Sequence, residues 1–390
     1  MRRGGLWLFV SACLLTGAYF GASRLGLLDR LQARFFPRKL KLSSGDFPAG
    51  VVAPIGGAAV PLRPVRVGFV PRGSSAALLV ATGGAVFADK PEPEQAPEGL
   101  LKTSYDLNSR AVAFARDDEL MAALRQGADQ GGVDAAAMTV DRLAEWASAL
   151  RDAAPRAILL LGRSHGLEAL ASLGPKTLQD LRGKKVAVAR HTACEYFALW
   201  LTARAGLPLD DVKWVEVPTV AEAGKALREG RVDAAVGFAG DLELALRDRT
   251  GTVLASTADA PHLVATVLVV RGEFAARYPD AIRRLARGLL DAGRSVGKDS
   301  QDGARRLGEV APYLGDPTDA IRLAPPATLE ENLGFFGMRG EPPVTFDELF
   351  SSAGALFIRL GRTATVPEPD EVRDLAALRY ASGLIASPKP

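Results

Sequence analysis

Thr177-Leu178-Gln179-Asp180-Leu181-Arg182-Gly183-Lys184-Lys185-Val186-Ala187-Val188 reads as a short helix, a glycine stop and an apolar strand. His191-Thr192-Ala193 then opens a helix, and Leu207-Pro208-Leu209-Asp210-Asp211-Val212 leads into a second strand. Ala226-Leu227-Arg228-Glu229-Gly230 ends a further helix, ahead of a strand beginning after Val232-Asp233. The same rhythm runs upstream, with strands expected over 65–70, 110–114, 135–139 and 157–161, and helices over 75–86, 118–126 and 140–151. Such alternation predicts α/β architecture with helices packed on parallel sheets. The run Ala157-Ile158-Leu159-Leu160-Leu161 has no polar alternation and suits a strand buried on both faces. A strand over 264–270 is followed by a helical region, with helices expected at 279–296 and around 302–313, 328–336 and 346–360. Residues 87–104 read as an inserted loop.

Composition narrows the function classes. Of 390 residues, 48% are hydrophobic and 24% charged, a folded balance rather than a disordered one. A net charge of +3 excludes the large basic excess of a dedicated nucleic-acid binder. Two cysteines (Cys13 and Cys194) and three histidines exclude a disulfide framework and a four-cysteine zinc site, so no cofactor or metal is expected.

Residues 4–23 carry no charge and are long enough to span a bilayer's hydrocarbon core. The expectation is an N-terminal transmembrane anchor; a cleaved signal peptide and acylation at Cys13 remain open alternatives. A basic amphipathic segment and a Pro/Gly-rich linker occupy 24–64.

The blocks quoted above resemble the aliphatic sulfonate, taurine and nitrate family of ABC-transporter solute-binding proteins. An earlier copy of the last block, Met121 to Gly127 with Val133-Asp134-Ala135-Ala136, fits as well. So does Val267-Leu268-Val269-Val270-Arg271-Gly272-Glu273-Phe274 followed by Tyr278-Pro279. The likeness covers about 65–297. It implies two doubly wound lobes with a cleft between them (the type II periplasmic-binding-protein fold) and a helical C-terminal extension. Lobe 1 is then 65–161 plus 262–365, lobe 2 is 162–261, and 366–390 is a tail. The implied role is an extracytoplasmic, monomeric protein at the periplasmic face of the inner membrane. It would capture a small anionic or zwitterionic solute for an ABC permease. Two rivals stay open: a tethered sensor or assembly factor that feeds no permease, and an enzyme. Relatives making a thiamine-pyrimidine precursor or cleaving a menaquinone precursor resemble this scaffold. Their residues to suspect here are His191, Cys194 and Glu195, although Tyr196, Phe197, Leu199 and Trp200 make Cys194 read as core. The chain departs from the family where His191 precedes Thr192, since glycine is common there, and where Phe238-Ala239-Gly240-Asp241 replaces an aromatic-Pro pair.

Ligands of doubly wound sheets collect beyond the C-terminal strand ends, beside helix N-termini. That rule selects Arg72, Ser74, Ser75, Thr139, Arg163, His165, Arg190, His191, Thr192, Asp241 and His262. The arginines offer anion-binding forks, the hydroxyls offer donors or simple helix caps, and Asp241 suits a cationic group or a cap.

Overall fold

The computed structural model describes residues 60–91, 98–247, 249–298 and 300–383. The anchor, the basic segment and most of the linker lie outside the described residues, as does the C-terminal end from 384. Among the described residues no helix is long and apolar enough to cross a membrane.

Two sheets organise the chain. The first contains β1 (Val65–Phe69), β2 (Ala85–Phe87), β3 (Ser109–Ala113), β4 (Ala135–Thr139), β5 (Arg156–Arg163) and β11 (Ala265–Val270), in the order β2-β3-β1-β4-β11-β5. The second contains β6 (Glu168–Ser172), β7 (Lys185–Ala189), β8 (Lys213–Val217), β9 (Ala234–Phe238) and β10 (Thr252–Ser256), in the order β10-β6-β9-β7-β8. The strands joined by helices pair in parallel, as the alternation predicts. The sheets are nevertheless mixed. β11 runs antiparallel to β4 and β5, and β6 and β10 run antiparallel within the second sheet. β6 and β11 are the first strands after the two crossovers, so each enters its sheet from the end opposite to its neighbours, whereas β10 runs in the direction of β9.

Two expected boundaries move. The helix expected over 75–86 spans only Ala76–Thr82, because Gly83 turns left-handed at φ 79° and its N–H closes on the Leu79 carbonyl. The remaining apolar residues, Ala85–Phe87, form the edge strand β2. The inserted segment likewise contains a helix, Leu100–Tyr105.

The C-terminal region covers a sheet edge. β5 is the last strand of its sheet and would present unpaired backbone to solvent. Instead, the Ala157 N–H donates to the Val372 carbonyl at 2.7 Å, and the Ala157 carbonyl accepts from the Asp374 N–H at 3.0 Å. The fully buried Asn332 imitates another strand: its Oδ1 accepts from the Leu160 N–H at 2.7 Å and its Nδ2 donates to the Leu160 carbonyl at 3.0 Å. Residues 366–383, expected as part of a tail, thus belong to the packed body. The Ala376–Ala381 helix continues this cover with Leu378 fully buried. Helix Phe346–Arg359 starts with a Thr345/Glu348 capping box and stacks Phe346 on Phe350 at 5.6 Å between ring centroids.

The chain crosses between the sheets twice. β5 still pairs with β11 through Gly162 and Arg163, so the first crossover begins at Ser164 rather than at 162. The second runs from Thr257 to Val264. The buried Thr257 hydroxyl ties the two: it accepts from the Gly166 N–H at 3.0 Å and lies 3.2 Å from the Glu168 carboxylate.

Candidate functional site

The C-terminal strand ends of both sheets open on one cavity of about 690 Å³. The first sheet lines it with Val70–Arg72 after β1, Phe87–Asp89 at β2, and Ala113–Glu119 after β3. The second lines it with Arg190–Cys194 after β7, Glu216–Ala221 after β8, and Phe238 and Asp241 after β9. Its volume falls in the range of small-molecule sites.

Five of the eleven candidates line this cavity: Arg72, Arg190, His191, Thr192 and Asp241. Arg72 is already held, with one Nη 2.8 Å from both oxygens of Asp117, the side chains being 8% and 5% exposed. Its Nε is buried with no partner. Arg190 pairs with Glu216 at 2.8 Å. The Thr192 hydroxyl donates to the Ala189 carbonyl at 2.7 Å and accepts from the Glu195 N–H at 3.3 Å, so it serves as a helix cap. Asp241 is half-buried on helix Ala239–Leu246, and burial alone pushes its carboxyl above the ordinary value.

Ser74, Ser75 and Thr139 do not line the cavity. All three are buried, Ser74 lies 3.0 Å from the Thr266 hydroxyl, and Thr139 Oγ1 has no partner. The capping expected of Ser75 is absent, because its own backbone is helical rather than extended. Arg163, His165 and His262 gather at the crossovers instead. Arg163 lies over the Phe335 ring at 4.9 Å and reaches the Val344 carbonyl at 3.3 Å. His262 lines a second cavity of about 470 Å³ with Trp200, Arg204 and Leu349. Burial, reinforced by Arg163 and His165, holds its imidazole below the ordinary value.

The ends of β2 and β8 line the site without having been singled out from sequence, and so does the loop after β3. Arg116 pairs there with Asp118 at 2.8 Å and Glu119 at 3.4 Å. It obeys the same strand-end rule that selected Arg72.

A charged cluster at one margin of the cavity joins elements of both sheets. His191 adopts φ 59°, in the left-handed region that favours glycine. Its N–H donates to Glu195 Oε2 at 2.8 Å, and its Nδ1 lies 3.1 Å from Glu145 Oε1. Glu145 belongs to helix Val140–Trp146, which follows β4 of the first sheet. Arg362, three residues beyond helix Phe346–Arg359, grips both Glu195 oxygens at 2.6 and 2.7 Å and touches Glu145 at 3.4 Å. Arg142 is fully buried, bonds Asp141 at 2.8 Å and pairs with Glu145.

Three carboxylates thus face two guanidiniums and one imidazole, so protonated His191 balances the cluster. The Glu145 hydrogen bond raises the imidazole's pKa from 6.5, against partial burial. For Glu145, burial pushes upward, but the His191 hydrogen bond together with Arg142 and Arg362 holds it below its usual value. The stabilising contribution of His191 is therefore complete below pH 6.5 and is lost as pH rises through the higher folded value. The difference in urea midpoint between wild type and His191→Asn should shrink over that rise. Asparagine tolerates the left-handed backbone but cannot titrate. A pH-independent difference would contradict this account.

Cys194 is fully buried at the cavity floor, and burial raises its thiol well above the ordinary value. It is a packed thiol rather than an activated nucleophile. Among the described residues no group of three or more His, Cys, Asp and Glu could hold a metal ion.

The family model described as NMT1-like matches residues 58–309. No curated protein matches the chain. Among solved structures, the chain is similar to the ligand-binding component of an ABC-type import system from Staphylococcus aureus, determined with zinc bound. The identity is 15% and the TM-score 0.61, with coverage of 82% of this chain and 99% of that one. It is also similar to the periplasmic aliphatic sulphonate binding protein of Escherichia coli, at 18% identity and TM-score 0.59, covering 80% and 92%. A desulfurization enzyme is similar too, at 13% identity and TM-score 0.54, covering 82% and 99%. These likenesses establish the fold and agree with the resemblance read from the motif blocks.

Proposed function

The chain belongs to the NMT1-like family, matched over 58–309, and from that premise we propose that it is a solute-binding protein of an ABC-type importer. It works outside the cytoplasm and captures a small solute between its lobes. The observation that carries this reading is the cavity of about 690 Å³ between the C-terminal strand ends of two sheets, which two crossovers join among the described residues. A solute touching Arg116–Glu119 on one side and Arg190–Asp241 on the other favours the state in which both sides are near. Differential contact of this kind is what shifts a two-state equilibrium. The closed form then docks on the permease.

The enzyme reading has the desulfurization enzyme as a fold relative in its favour. Against it stand the buried, protonated Cys194 and the engagement of His191 with Glu145 rather than with a nucleophile. Titration calorimetry paired with small-angle scattering tests the proposal. A bound solute should reduce the radius of gyration and be recovered unchanged. Chemical conversion of the solute would favour the enzyme instead.

A further inference from the structure

Building on the proposed solute-binding role, we infer that the cleft selects a solute bearing an ammonium or similar cationic group, seated at Asp241 against the cavity's aromatic wall. The charge pattern of the lining carries this. Six carboxylates line the cavity (Asp89, Asp117, Asp118, Glu119, Glu216 and Asp241) against three guanidiniums and the His191 imidazole, which is engaged with Glu145. Each guanidinium already has a carboxylate: Arg72 has Asp117, Arg116 has Asp118 and Glu119, and Arg190 has Glu216. A sulfonate or nitrate arriving here would have to displace a wall carboxylate to gain a guanidinium fork. It would also enter a site with a net negative charge, which like-charge repulsion penalises.

Asp241 is the reverse case. Its carboxylate is half-buried, no described residue pairs with it, and desolvation raises its pKa without any opposing cation. A solute ammonium would supply the missing partner. Phe114 and Phe238 face the same cavity and are partly exposed, and a ring face attracts a cation. Phe87 already carries such a contact, with Lys90 Nζ 4.7 Å from its centroid. The other end of the solute is addressed by Arg72, which lines the same cavity and whose buried Nε–H has no partner. Arg72 and Asp241 line the same cavity, so one solute can address both. The pairing of an acceptor for a cation with one spare N–H for an acceptor group points to an amino-acid-like zwitterion.

The test is a thermal-shift panel on the full chain, followed by calorimetry. Amino acids and simple primary and quaternary amines form one arm; ethanesulfonate, sulfate and nitrate form the other. Ammonium-bearing probes should bind, and Asp241→Asn should weaken the best of them about tenfold or more, as loss of a charge-assisted hydrogen bond does. The variant's own melting point should hold or rise, since an unpaired buried charge is removed, which separates lost recognition from lost folding. Binding of ethanesulfonate or nitrate undiminished in Asp241→Asn, with no response to amines, would overturn the charge inference and leave solute binding intact. Silence from both arms would overturn both.

Discussion

Replacing Arg362 by alanine should destabilise the protein by about 3 kcal/mol, the order expected when one partner of a buried ion pair is removed. Arg362 is 17% exposed and grips a Glu195 that is 4% exposed, and it also touches Glu145 at 3%. Without it both carboxylates remain in a dry environment with less positive charge to hold them. Arg362→Lys should recover only part of the loss, because an ammonium cannot make the two parallel bonds that Glu195 now receives. Pairing Arg362→Met with Glu195→Gln should recover more, since it removes the stranded charge. The readout is the urea midpoint at constant slope. A loss below about 1 kcal/mol would place this contact among ordinary surface pairs.

The second large effect is expected at Arg72. Arg72→Met removes the partner of Asp117 and a cation whose charge opposes the burial that pushes the fully buried Glu168 carboxyl above its usual range. Destabilisation of about 3 kcal/mol is again the expectation. Here it comes with lost solute binding, because Arg72 lines the cavity. Adding Asp117→Asn should restore much of the stability without restoring binding. Recovery of both together would mean that Arg72 acts only as a structural ion pair.

The two effects follow from contacts that a one-dimensional reading reaches unevenly. Strands such as Val65–Phe69 and Ala234–Phe238 were legible because each sits in a strand–helix unit with its own apolar run. The strands Glu168–Ser172 and Thr252–Ser256 were not. They begin or end on Glu, Ser or Thr and owe their place to antiparallel neighbours elsewhere in the chain. The strand-end rule found Arg72, Arg190, His191, Thr192 and Asp241, which do share one cavity. It also selected Arg163, His165 and His262, since they flank strands too. The lobe boundaries expected near 162 and 262 already put them at the crossovers; what the fold adds is that they do not line the cavity. The charge state of the cleft was hidden for a similar reason: Arg72 meets Asp117 across 45 positions, and Arg362 meets Glu195 across 167. Read singly, the arginines suggested an anion; read with their partners, they do not. His191 is an intermediate case. Its place before Thr192, where glycine is common, marked a departure, and the left-handed backbone with the Glu145 contact gives that departure a physical reason.

The central claim is that a solute binds between the lobes and touches both. A crystal structure of the full chain with a bound ligand from the calorimetric panel tests it most directly. The account predicts density in the 690 Å³ cavity, with contacts from the Arg116–Glu119 side and from the Arg190–Asp241 side, and a cationic group against Asp241. A ligand seated instead in the 470 Å³ cavity beside Trp200 and His262, or touching one lobe alone, would contradict it.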